Sequence, residues 1–349
     1  MKAARCTSWV RGLAALGAFC IAALGPVPGM AQTELTVYTA YENDDLKSFK
    51  AAFEKSNPGI TINWVRDSTG VVTAKLIAEK ENPRADAVWG LAVTSLLVLE
   101  EHDLLMPMQP KGVEKLSPKF RDDDNPPKWV GNNGWICAII FNEVEAKKKN
   151  APKPATWKDL TNPAYRGQIV MAHPASSGTG FMYVSAWLQL YGEEEGWKFM
   201  DALHQNIARY THSGSAPAAM AAKGEYMVGM GFDIRGSRLK EEGAPIDIIM
   251  PKDGLGWDMN AMAIIKGTKK KDAALKLVEW GISEEANRLY GTKRSVVAMP
   301  GYAKPLAHLP TDMDQRIMKQ DFAWAAKNRE RILKEWERRY GSKSDPKKK

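Results

Sequence analysis

Three hydroxyls and two glycines fall within five residues at Ser176-Ser177-Gly178-Thr179-Gly180. An apolar run, Gln168-Ile169-Val170-Met171, precedes them; after them Phe181, Val184, Leu188 and Tyr191 recur at helical spacing before Gly192. This pattern predicts a strand, a turn and a helix start. A turn of that kind presents backbone N–H groups, hydroxyls and the positive end of a helix dipole, which receive a phosphate, phosphonate, sulfate or carboxylate. An ordinary Ser/Thr cap on a surface helix fits the same residues, although glycine also lets a ligand approach the backbone closely. Other chemistry finds little support. The sequence has no Gly-x-Ser-x-Gly elbow and no His-Glu-x-x-His pair, and its five histidines form no metal-spaced cluster with the acids. The expectation is a binder that uses neither cofactor nor metal, with a secreted hydrolase or lyase as the rival class.

The first 11 residues carry Lys2, Arg5 and Arg11 and no acid; an apolar run over 12–24 follows, then Gly29-Met30-Ala31. Basic, apolar and small-residue regions in that order predict a secretory signal over 1–31, cut after Ala31, and hence a periplasmic protein. The run is short of the roughly 20 apolar residues that span a bilayer. Without that segment the chain has 46 basic and 41 acidic residues, a charge of +5, with much of the excess in a C-terminal tail that includes Arg338, Arg339 and 347–349. No basic face interleaved with aromatics appears, so a nucleic-acid partner is not expected. The one remaining cysteine, Cys137, sits in the apolar run Trp135-Ile136-Cys137-Ala138-Ile139-Ile140 and reads as core.

The elements that must position the turn can be read in chain order. Strands over 34–39, 60–65 and 85–90 alternate with helices around 46–53 and 71–81, which implies βαβ units and a parallel sheet. Ligands lie beyond the carboxyl ends of such strands, here 39–42, 67–70 and 89–91. A loop over 129–134 leads to strands at 135–142, 168–171, 207–211, 227–232 and 246–250, with helices at 194–204 and 216–223 and a turn at 233–236. The chain returns over 259–265, then continues as a helix over 272–282 and a basic helix over 312–340. The length exceeds one comfortable core. Two lobes follow, the first from 32–134 and 265–349, the second from 135–264, with a ligand between them.

Several strings carry a resemblance. Leu35-Thr36-Val37-Tyr38-Thr39-Ala40, Phe53-Glu54-Lys55-Ser56-Asn57-Pro58, Ala85-Asp86-Ala87-Val88-Trp89 and Pro163-Ala164-Tyr165-Arg166-Gly167 together resemble the extracellular solute-binding proteins of ABC importers, in the branch of the ferric-iron-binding proteins. Within that branch Trp64-Val65-Arg66-Asp67-Ser68-Thr69-Gly70, the stretch 174–180, Tyr210-Thr211-His212-Ser213-Gly214-Ser215 and Gly254-Leu255-Gly256-Trp257 resemble the 2-aminoethylphosphonate-binding proteins. The likeness runs over about 34–300. It implies an α/β, two-lobed type II periplasmic-binding-protein fold with hinge strands, a monomer, a partner ABC permease in the inner membrane, and 2-aminoethylphosphonate as ligand. On that resemblance the phosphonate falls to Ser176, Ser177, Gly178 and Thr179, with Thr39, Thr69, His212 and Ser213 adding donors. The ammonium falls to Asp233, then Glu42, with Trp89 and Trp257 offering cation–π contacts. Iron binders of this branch carry adjacent tyrosines where this chain has Phe232-Asp233, and no Tyr-Tyr pair occurs in the sequence. Ferric iron, a phosphorylated sugar and a polyamine-like cation remain the alternative ligands.

Overall fold

The computed structural model describes residues 32–346; the expected signal over 1–31 and Lys347, Lys348 and Lys349 lie outside the described residues. The chain opens as β1 (Thr33–Thr39), α1 (Asn43–Ser56), β2 (Ile60–Arg66), α2 (Thr69–Ala78), β3 (Ala87–Ala92) and α3 (Val93–Glu101). β1 pairs in parallel with β2 and with β3, which is the βαβ arrangement that the alternating pattern requires. Next come β4 (Val130–Asn142), α4 (Glu143–Lys148), β5 (Ile169–Ala172), α5 (Gly178–Tyr191) and α6 (Glu193–Asn206). β6 (Ile207–Thr211), α7 (Ala216–Ala222), β7 (Val228–Phe232), α8 (Asp233–Glu241) and β8 (Ile246–Ile249) follow. The chain returns through β9 (Trp257–Ile264) to α9 (Lys271–Gly281) and α10 (Glu284–Gly291), then ends in α11 (Met313–Arg316), α12 (Phe322–Lys327) and α13 (Arg329–Tyr340).

Strand order is β2-β1-β3-β9-β4-β7-β5-β6, with β8 also on β4. β5 runs parallel to β6 and β7, whereas β9 is antiparallel to β3 and β4. Two large apolar cores flank the middle of this order. Phe49, Phe53, Trp89, Trp280 and Tyr290 centre the first, and Trp157, Tyr183, Trp187 and Trp336 the second. β4 serves both: Val130 to Ile136 pairs with β9, and Cys137 onward pairs with β7 and β8. Ile136 accordingly packs in the first core, Cys137 and Ile139 in the second.

Three stretches differ from the sequence expectation. Residues 129–134 were expected as a loop, but β4 begins at Val130. β9 captures the Gly131-Asn132-Asn133-Gly134 string with a bulge between Gly131 and Asn133, and the two buried asparagines meet Tyr41. Residues 233–236 form the first turn of α8 rather than a free turn. The expected single helix over 312–340 is three. Its break holds neither Gly nor Pro; instead Ile317 pairs with Leu255, and Asp321 caps α12 by accepting from the Trp324 N–H at 2.8 Å. Of these helices, Ala325, Ile332, Trp336 and Tyr340 pack in the second core.

Trp336 fixes that docking, with His173 and Tyr210 at ring-centroid distances of 4.6 and 4.7 Å. Trp336→Ala should lower unfolding free energy by about 3–5 kcal/mol, the usual cost of truncating a buried large aromatic. Urea unfolding measures this, and an unchanged midpoint would contradict the placement of α13.

Candidate functional site: a cleft ringed by helix starts

The loops that leave the carboxyl ends of β1, β2, β5, β6 and β7 meet at one pocket, where ligands of open α/β sheets are expected. Ala40, Tyr41 and Glu42 come from the first loop, Arg66, Ser68 and Thr69 from the second, and Ser177, Gly178 and Thr179 from the third. Ser213 and Gly214 follow β6, Phe232 and Ile234 flank the start of α8, and Trp135, Asn260 and Arg294 complete the lining. Three of the helices that begin here do so with a polar N-cap residue on the pocket wall: Glu42 for α1, Ser68 for α2 and Ser177 for α5. The first N–H groups of a helix have no carbonyl partner within the helix, and each start carries the positive end of a dipole.

At the third start, the Ser177 hydroxyl accepts from the Gly180 N–H at 3.3 Å, so its cap role is real. Thr69 and Thr179 line the same pocket, and their hydroxyls meet no hydrogen-bond partner among the described residues. Packing here requires glycine. A Cβ on Gly214 would lie 2.6 Å from Thr179 Oγ1 and 2.7 Å from Ser177 Oγ, and one on Gly178 would lie 2.6 Å from Thr69 Oγ1. The two sides of the cleft also meet directly, because the Gly70 N–H donates to the Ser176 carbonyl at 3.0 Å.

Electrostatics favour anions. Arg66 and Arg294 line the pocket, and Glu42 is the one carboxylate that does so. Glu42 lies 3.6 Å from Arg66, whose Nε also donates to the Tyr41 carbonyl at 3.0 Å. Burial works against the Arg294 charge, but Asp45 beside it raises its pKa above the ordinary value. Burial pushes the Tyr41 phenol far above its usual range, and its hydroxyl is held by Asn132 and Asn133. Among the described residues no group of three or more His, Cys, Asp or Glu is placed to hold a metal ion.

Of the residues singled out in the sequence, Glu42, Thr69, Ser177, Gly178, Thr179 and Ser213 come together on the pocket wall. The others lie elsewhere. Thr39 is fully buried, and its hydroxyl accepts from the Tyr41 N–H at 3.1 Å. Ser176 donates to the His212 carbonyl at 3.0 Å, and His212 Nε2 meets the Pro346 carbonyl at 2.8 Å. Asp233 opens α8 with its carboxylate turned inward, accepting from the Ile136 N–H at 3.0 Å and the Ser295 hydroxyl at 2.7 Å. Burial raises its pKa, and these two contacts oppose the shift. Trp89 falls mid-strand because β3 extends to Ala92; it stacks on Phe49 and donates to the Tyr290 hydroxyl at 3.1 Å. Trp257 packs against Phe120 and Phe322 and donates to the Met318 carbonyl. Neither tryptophan face is open to a ligand.

Sequence reading missed Arg66, Tyr41, Trp135, Asn260 and Arg294. Arg66 ends β2, so the strand-end rule that selected Thr69 also reaches it. Arg294 lies between α10 and the next extended segment, in a stretch without periodic signal.

The family model described as bacterial extracellular solute-binding protein matches residues 93–323, well over half of the chain. The chain belongs to that family. A Sinorhizobium fredii relative, "Probable ABC transporter periplasmic-binding protein y4fP", is 25% identical over 86% of this chain and 86% of its own. A Salmonella typhimurium relative, "Putative 2-aminoethylphosphonate-binding periplasmic protein", is 25% identical over 78% of this chain and 81% of its own. Among solved structures, the periplasmic binding protein AfuA from Actinobacillus pleuropneumoniae, with exogenous fructose-6-phosphate bound, superposes with a TM-score of 0.83 at 28% identity. That match covers 88% of this chain and 99% of AfuA. The solute-binding protein described here therefore has the type II periplasmic-binding-protein fold and is of the ABC-importer type. Among its described residues no helix is long and apolar enough to cross a membrane.

The Gly70 contact gives a test of the cleft. A Cβ there would lie 1.9 Å from the Ala175 carbonyl oxygen. Gly70→Ala should hold the sides apart and raise the radius of gyration in small-angle X-ray scattering while leaving the circular dichroism unchanged. A radius equal to that of the unmodified protein would show that this contact does not limit closure.

Proposed function

We propose that this solute-binding protein captures a small organophosphorus anion, a phosphonate or a phosphate monoester, and delivers it to an ABC permease in the inner membrane. The observation that carries the reading is the convergence of three helix N-termini on a pocket with two guanidinium groups and one carboxylate. A helix N-terminus contributes about 0.3–2 kcal/mol to a bound anion. Hydrogen bonds to charged groups contribute about 1.5–3 kcal/mol each. Together these reach the roughly 8 kcal/mol of micromolar binding. In this reading Ser177, Gly178 and Thr179 hold the phosphorus oxygens from one side and Thr69 from the other, with Ser213 as a further hydroxyl.

Within that class 2-aminoethylphosphonate is supported by the likeness to the Salmonella relative. Glu42 then takes its ammonium, because Asp233 is committed to the interior, and Arg66 is released toward the phosphonate. The second reading is a phosphorylated sugar, favoured by the ligand in AfuA. There Glu42 stays with Arg66, while Asn260 and Ser68 meet sugar hydroxyls. Ferric iron has less support. The pocket-lining tyrosine, Tyr41, is a buried phenol already bonded to two amides.

Calorimetric titration of the chain from Gln32 onward, a compact unit by itself, separates these readings. The ligands are 2-aminoethylphosphonate, methylphosphonate, inorganic phosphate and fructose-6-phosphate. One phosphorus anion should bind at micromolar strength, and Ser177→Ala with Thr179→Ala should weaken it at least 10-fold. Heat from none of the four would remove the organophosphorus reading. Glu42→Gln should weaken 2-aminoethylphosphonate about 10-fold and leave methylphosphonate unchanged. Equal losses for both would take the ammonium away from Glu42.

A further inference from the structure

Asp45 stands in the first turn of α1, outside the set of pocket-lining residues, and its side chain is fully buried. A carboxylate withdrawn from water has to be paired. Three cations answer it, and they come from both sides of the cleft. From the segment that follows α10, Arg294 Nη2 bonds Oδ2 and Lys293 Nζ lies 3.4 Å from Oδ1. Across the cleft, Arg238 Nη2 of α8 donates to Oδ1 at 2.6 Å. The two helices belong to different apolar clusters: α1 packs through Phe49 and Phe53 into the first core, whereas Leu239 of α8 packs with Ile140 and Ile246. Arg294 is also one of the two guanidinium groups that line the pocket, held from its other side by Asn133 Oδ1 at 3.2 Å.

We infer that Asp45 is a positioning residue with two tasks: its ion pair with Arg238 latches the cleft shut, and the same carboxylate aims Arg294 into the ligand pocket. Opening the cleft separates Asp45 from Arg238 but leaves it with Arg294 and Lys293, so the carboxylate is never stranded. Water then takes up the oxygen that Arg238 vacates. A buried ion pair gains little over its hydrated partners, because desolvation offsets most of the Coulomb attraction. The latch is therefore reversible, as a protein that must release its cargo requires. Burial alone would raise the Asp45 carboxyl, but Arg294, Arg238 and Lys293 outweigh it and hold it at about 2. The exposed Asp44, 3.8 Å from Arg238 Nη1, adds a weaker attraction at the rim.

The inference does not depend on which solute is bound, and its test uses none. Amide hydrogen exchange of the ligand-free full chain, read at Gly70, reports closure, because that N–H is bonded to Ser176 across the cleft. Arg238→Gln should lower Gly70 protection at least 10-fold and enlarge the radius of gyration, with amides of the two cores as protected as before. Arg238→Lys, which keeps the charge, should recover most of the protection. Protection in Arg238→Gln equal to that of the unmodified chain overturns the latch, as does a Gly70 amide already exchanging freely in the unmodified ligand-free chain. Asp45→Asn should give the same opening. A closed, fully protected Asp45→Asn chain would also overturn it.

Discussion

The antiparallel pairing of β4 with β9 is the constraint on which the rest of the structure depends. From Val130↔Met262 to Ile136↔Trp257, these two strands form the middle of the sheet. β3 joins β9 on one side, and β7 and β8 join β4 on the other. All 13 residues of β4 are buried, including Asn132 and Asn133, so the polar groups of the crossing depend on protein partners, and among the described residues Asn132 Nδ2 meets none. The Tyr41 hydroxyl answers both amides, and Asn260 of β9 donates to Asn133 at 2.8 Å. The crossing therefore does more than join two cores. It carries the polar floor on which Tyr41, Asn260 and Arg294 are oriented, and all three line the pocket.

The second consequence concerns direction. The parallel strands on both sides of the crossing, β1, β2, β5 and β6, point their carboxyl ends toward the same cleft, so α1, α2 and α5 begin there. Aligned peptide dipoles at three helix starts set a positive field before any side chain is considered. Gly90 shows how tightly the first loop is seated. At φ +82° it adopts a left-handed conformation, and a Cβ there would fall 2.1 Å from the Tyr41 ring. That ring reaches the asparagines only because position 90 has no side chain.

Legibility of the fold and of the site differ for a physical reason. Strands and helices of the first 60 described residues follow from local alternation and periodicity, and the Ser177-Gly178-Thr179 turn announces its chemistry within a few residues. Orientation is another matter. Asp233 and Glu42 both follow strand ends, yet one is turned inward by Ser295 and Ile136 while the other faces the pocket. Nothing in the neighbouring residues of either acid distinguishes them; the difference arises from partners 62 and 97 residues away. Arg294 is hidden in the same sense, since its place in the cleft is made by Asp45 and Asn133, distant in sequence. The C-terminal helices read as one in the sequence because the break after α11 is made by a backbone bridge to Leu255 rather than by a helix-breaking residue.

The pairing of the acids decides the sign of the cleft. Three carboxylates near it are fully buried, and each is held by partners from within the protein. Asp45 is held by Arg294, Arg238 and Lys293; Asp233 by Ser295 and the Ile136 N–H; and Asp258 by Thr94 and the Val93 and Met259 N–H groups. A buried carboxylate already held in this way offers an incoming cation little direct contact, and reaching it would require breaking hydrogen bonds whose donors would be left buried and unpaired. At the pocket, by contrast, the Thr69 and Thr179 hydroxyls meet no hydrogen-bond partner among the described residues. A cation entering the cleft finds Glu42 already beside Arg66, whereas an anion finds donors on every side. On the proposed reading, a preference for negative charge follows less from the number of basic residues than from the pairing of the acids within the scaffold.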